Sequence, residues 1–111
     1  MDQIIHKFAY DNLSKILGYA FKEPGLLFQA FRHASYVNEH AELNLQDNER
    51  LEFLGDAVLD LAISDLLMRI FPEAEEGTLS KYRAMVVDEA ALSQIAIKLC
   101  LGDYILLGRG E

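Results

Sequence analysis

Residues 48–71 are apolar on nearly every side of a helical wheel, whereas the flanking segments keep their apolar residues on one face. A helix that is apolar all round is expected to be buried, with one-sided helices as its cover. Ile4, Ile5, Phe8, Leu13, Ile16 and Leu17 recur at helical spacing, and Gly18 follows as a natural C-terminal cap. Pro24 opens a second helix that carries Leu26, Leu27, Ala30 and Phe31 and ends near His33. Residues 34–47 lose the pattern, keeping only Leu43 and Leu45 apolar at alternate positions, and are expected to form a loop with one short turn. Asp47 or Asn48 caps the long helix and Pro72 stops it. Thr78 or Ser80 starts the next helix, with Leu79, Tyr82, Met85 and Val86 apolar. Asp88 caps a further one, whose inward stripe is Ala91, Leu92, Ile95, Ala96 and Leu99, closed by Leu101-Gly102. Residues 104–107 are short and apolar, and periodicity does not choose between helix, strand and extended loop. With no hairpin signal anywhere, the fold class is all-α, in a single domain spanning residues 1–111.

The long helix carries the candidate chemistry. At 100° per residue, Glu49, Glu52, Asp56 and Asp60 fall within about 80° of one another. Carboxylates in a dry setting persist only if paired, protonated or bound to a cation. Arg50 lies off the stripe and Arg69 far along the helix, so a divalent cation is the simplest partner. Hard oxygen ligands at this spacing suit magnesium or manganese. The alternative is that acidic residues near a helix start merely stabilise its positive dipole end. That covers Glu49 and reaches Glu52. It does not cover Asp56, two turns in, where Asp is a poor helix former. Gly55 adds to the anomaly, because a mid-helix glycine costs roughly 1 kcal/mol relative to alanine and is tolerated where a backbone or ligand comes close.

Composition narrows the setting. The 111 residues suit one domain with a working core, 51% of them hydrophobic and 25% charged. A formal net charge of −8 is unusual for anything that touches nucleic acid, so either RNA is not a ligand or its binding is delegated to metal ions and a separate basic module. The single Cys100 excludes an internal disulfide and a cysteine zinc site, and its apolar surroundings predict an inert core thiol. No secretory leader or membrane-spanning run is visible, which makes a cytoplasmic protein the default. His33 is a candidate base, with a capping or core role as its simpler reading.

Glu49-Arg50-Leu51-Glu52-Phe53-Leu54-Gly55-Asp56-Ala57-Val58-Leu59 resembles the signature of the ribonuclease III family, endonucleases that cut double-stranded RNA. His33-Ala34-Ser35-Tyr36-Val37-Asn38-Glu39 resembles the segment the family places before it. Glu76-Gly77-Thr78-Leu79-Ser80 with Arg83, and Leu107-Gly108-Arg109-Gly110-Glu111, resemble later segments. The resemblance implies magnesium-dependent phosphodiester hydrolysis leaving a 5′ phosphate and a 3′ hydroxyl, manganese being a conceivable substitute. By motif position it makes Glu52 a metal ligand, and Asp56 a metal ligand or the residue that positions the attacking water. Glu49 and Glu76 match secondary acidic positions lining the family's catalytic valley. Glu39 and Asp60 are read as structural, and Ser80 and Arg83 as fixing helix-to-helix geometry.

The same resemblance implies a homodimer acting on double-stranded RNA, with Phe53 inserted into a pocket of the partner subunit; its simpler role is an ordinary core phenylalanine. It also implies a role in RNA processing such as ribosomal RNA maturation. In the family a further helix follows the Leu107-Gly108-Arg109-Gly110-Glu111 segment and supplies the other acidic ligands, and a double-stranded-RNA-binding domain is common. The expectation is therefore an N-terminal portion of the endonuclease domain, lacking its final helix or helices and inactive by itself. Residues 104–111 should then be loosely held, and an apolar groove floored by carboxylates should lie open beside Glu52 and Asp56. The alternative is a non-catalytic descendant serving as a dimerisation or RNA-assembly module.

Overall fold

The computed structural model describes residues 2–110, with side chains from Lys7 onward; Ile4, Ile5 and Glu111 of the sequence patterns lie outside the described side chains. Its order is α1 (Asp2–Leu17), α2 (Pro24–Ala30), α3 (Ala34–Glu39), a 3₁₀ turn (Ala41–Leu43), α4 (Glu49–Ile70), α5 (Glu76–Val86), α6 (Glu89–Lys98) and a second 3₁₀ turn (Leu101–Tyr104). No strand is formed among the described residues beyond an isolated parallel bridge between Arg32 and Leu106. The architecture is all-α.

Local chemistry sets most of the boundaries. Gly18 adopts φ +66°, and Tyr19 N–H reaches back to the Ser14 carbonyl at 3.1 Å, the reverse turn that satisfies the last carbonyls of α1. Pro24 begins α2, where its missing N–H costs nothing. Asp88 accepts from the N–H groups of Ala90 and Ala91 at 2.9 and 3.3 Å and caps α6 as expected.

Several boundaries differ from the sequence reading: α2 ends at Ala30, short of His33. Residues 34–47 contain α3 and a 3₁₀ turn, because His33 accepts from Ser35 N–H and caps a helix that hydrophobic periodicity does not reveal. α5 starts at Glu76, ahead of Thr78, its first-turn carboxylate favoured by the helix dipole. Cys100 is exposed, not a core thiol. α6 ends at Lys98, and Cys100 takes the left-handed conformation (φ 56°) that turns the chain.

Packing is uneven. α5 lies along the second half of α4, tied by Arg83 Nη1 donating to Ser64 Oγ at 2.8 Å and by the tilted pair Phe71–Tyr82, centroids 5.1 Å apart. α1 packs against α2, and Leu13, Leu27 and Leu67 are the buried apolar side chains among the described residues. α4 is thus not the buried helix its composition predicts: Phe53 is 83% and Leu61 71% exposed. The chain exposes 8865 Å² in all, against about 6,200 Å² for a compact folded monomer of its mass. Its radius of gyration, 16.7 Å, likewise exceeds the roughly 13 Å of a globule of this length.

Residues 105–110 are not loose either. Leu106 N–H donates to the Phe31 carbonyl at 2.8 Å and His33 N–H to the Leu106 carbonyl at 3.0 Å. Gly108 N–H then donates to Ser35 Oγ, and Arg109 N–H to Glu39 Oε2, each at 2.8 Å. The backbone of residues 31–33 holds Leu106, and α3, the helix missed in the sequence, holds Gly108 and Arg109.

Candidate carboxylate site on the signature helix

The head of α4 is fixed before its acidic face begins. Asp47 Oδ1 accepts from Glu49 N–H at 3.1 Å, and Glu52 N–H starts the helical ladder on the Asn48 carbonyl at 2.8 Å. Four residues apart, Glu52 and Asp56 lie on one face. Both are exposed, as are Glu49 and Asp60. The setting is therefore wet, not dry as the sequence predicts, because α5 covers only the later turns of α4.

Among the described residues the ion pairs are Asp65–Arg69 and Glu39–Arg109. Neither involves the acidic face. Unpaired carboxylates one turn apart, offering hard oxygens without a competing cation, suit a divalent ion. Together they fill only part of the six-oxygen shell that magnesium demands. No group of three His, Cys, Asp or Glu side chains converges among the described residues. The donor set fits part of a metal site.

The other expected residues are placed differently. Glu76 opens α5 and lines a cavity of about 360 Å³ with Ser64, Leu67, Met68 and Arg83. At 1.5 Å per residue, Met68 lies about 24 Å along the α4 axis from Glu52, so one chain does not unite Glu76 with Glu49 and Glu52. His33 is spent on structure: its Nδ1 lies 2.7 Å from Ser35 Oγ and accepts from Ser35 N–H at 3.1 Å. The open depression beside the helix head, about 530 Å³, is lined by Glu49, Arg50, Leu51, Phe53 and Leu54. It is apolar and open as expected, but Glu52 and Asp56 lie outside its lining. Nothing stands within 4 Å of a Cβ built on Gly55, so the close approach inferred for that glycine does not come from this chain.

Fold and site together define an all-α domain organised around one acidic helix. The family description Ribonuclease-III-like matches residues 23–111, and the chain belongs to the ribonuclease III family. It is 52% identical over 99 residues to Ribonuclease 3 of Syntrophobacter fumaroxidans, covering 89% of this chain and 41% of that protein. Against Ribonuclease 3 of Halalkalibacterium halodurans the identity is 50% over 102 residues, 92% of this chain and 39% of the relative. The chain thus spans about two fifths of the length of these curated relatives. Among solved structures, the nuclease domain of ribonuclease III from Campylobacter jejuni, described as showing structural flexibility in a region involved in dimer formation, superposes with a TM-score of 0.79 at 44% identity. That match covers 90% of this chain and 66% of that one.

Proposed function

We propose that this chain is part of an endoribonuclease that cleaves double-stranded RNA by magnesium-dependent hydrolysis, leaving 5′ phosphate and 3′ hydroxyl ends. The observation that carries the reading is the unpaired carboxylate pair Glu52 and Asp56 on the exposed face of a helix whose sequence is the family signature. Bound there, magnesium would lower the pKa of the attacking water and neutralise charge on the leaving oxygen. Glu52 would hold the ion, and Asp56 would either complete that hold or orient the water through a carboxylate oxygen. Without a cation this face repels RNA: two carboxylates on a chain of net charge −8 confront a phosphate backbone of the same sign. Glu49 and Glu76 stand as secondary acidic positions. Work in RNA processing such as ribosomal RNA maturation, in the cytoplasm, is part of the same proposal and is supported by family resemblance only. Among the described residues no helix is long and apolar enough to cross a membrane.

The reading includes a homodimer. Phe53, Leu54, Val58 and Leu61 form an exposed apolar band beside the acidic stripe. The excess surface of about 2,700 Å² over a compact monomer is more than the roughly 800 Å² each partner gives a standard interface. A second copy set on this band, with Phe53 as its anchor, would cover it. In C. jejuni ribonuclease III a dimer-forming region is described.

The test is duplex-RNA cleavage by the full natural protein with and without magnesium, beside its Asp56→Asn variant. The natural protein should cleave and the variant should not, while duplex binding stays near the parent's. Cleavage at parental rates by the variant refutes the assignment. The 111 residues alone should not cleave, since two carboxylates hold magnesium weakly. Efficient cleavage by them would show that the pair suffices.

A further inference from the structure

Asn48 stands at the N-cap of α4, where an asparagine ordinarily turns its side-chain oxygen onto the first N–H groups of the helix. Here it makes no such bond, and the neighbouring Asp47 takes the Glu49 N–H instead. Asn48 uses its other half. Its Nδ2 donates to the Ala30 carbonyl at 2.8 Å, across 18 residues of sequence. Ala30 is the last residue of α2, and its carbonyl is one of those a helix end leaves without a partner.

The same junction is bonded throughout. Asn48 N–H donates to the Arg32 carbonyl at 3.0 Å, Gln29 Nε2 to the Asp47 carbonyl at 3.0 Å, and Arg32 Nη1 to the Gln46 carbonyl at 3.4 Å. On its other side the 31–33 backbone is paired with Leu106. Residues 31–33 thus form a rail, with residue 106 on one edge and the head of α4 on the other.

We infer that Asn48 is a positioning residue for the carboxylate site: its amide locks the head of α4 to the end of α2, fixing how Glu52 and Asp56 face groups carried elsewhere in the assembly. The two carboxylates share a helix, so their mutual spacing survives a tilt of α4. Their aim at an RNA phosphate or at ligands from another segment does not, and small misplacements of reacting groups cost rate steeply. This inference rests on the proposed nuclease reading.

Two variants of the full natural protein separate positioning from capping. Asn48→Asp and Asn48→Ser both keep a good N-cap residue, and both remove the amide that reaches Ala30: aspartate has no donor there, and the serine hydroxyl is one bond shorter. Each should lower kcat about tenfold, the scale of one lost hydrogen bond that holds reacting groups in place. KM for duplex RNA should stay within about twofold. In the 111-residue chain, amide exchange at Asn48 and Leu106 should quicken in both variants, while the melting temperature falls by no more than the few degrees that one hydrogen bond is worth. Parental kcat in both variants, or loss only in Asn48→Asp, overturns the inference, the latter because charge alone would then explain it. Unchanged exchange overturns it as well. If the parent itself fails to cleave with magnesium, the nuclease reading fails, and the exchange data alone decide whether Asn48 locks the junction.

Discussion

Replacing Gly108 by alanine should destabilise the chain, although the backbone there has no need of glycine. Among the described glycines only Gly18 has a positive φ, so conformational strain is not the cause. Contact is. A Cβ at Gly108 would meet Glu39 Oε2 at 2.8 Å, the Ser35 carbonyl oxygen at 2.9 Å and Ser35 Cβ at 3.0 Å. The Glu39 carboxylate can swing away, but the Ser35 carbonyl belongs to α3. Relief must therefore come from separating the chain from α3, at the expense of the Gly108–Ser35 and Arg109–Glu39 bonds. Overpacking of this kind costs about 1–3 kcal/mol, against roughly 0.4–1 kcal/mol that a harmless Gly→Ala change would contribute. Gly55 is the control: mid-helix, with nothing within 4 Å of its Cβ, it should stabilise the isolated chain by about 0.5–1 kcal/mol when changed to alanine. At roughly 4–8 °C per kcal/mol for a domain of this size, thermal unfolding should move in opposite directions in the two variants. A Gly108→Ala chain that melts at or above the parent would refute the packing argument.

The remaining predictions concern assembly and local strain. Phe53→Ala should leave the monomer's own stability unchanged, since the ring is 83% exposed, yet sedimentation should show weakened self-association; a parent that is monomeric, or an unaltered dimer, contradicts the homodimer. Cys100→Gly should raise stability by about 1 kcal/mol by relieving a left-handed residue that carries a Cβ, read as a higher midpoint in urea; a lower midpoint would mean that the thiol's packing outweighs the strain.

Much of the helical skeleton was legible because it is written locally. Apolar residues at helical spacing marked α1, α2, α4, α5 and α6. Gly18, Pro24, Asp88 and Pro72 set ends through local chemistry that needs no tertiary partner. The signature around Glu52 and Asp56 carried the family and the acidic face together. α3 escaped because six residues give too short a window for periodicity, and its cap is a histidine. The fate of Gly108 and Arg109 followed from that omission, since their bonds run to Ser35 and Glu39, some 70 residues earlier. Asn48 was readable as a helix cap, but not as a donor to α2, because its partner is named only by the folded chain. The exposure of α4 marks the same boundary. Composition fixes how much apolar surface a helix carries, whereas only the arrangement of its neighbours decides how much of that surface one chain can cover.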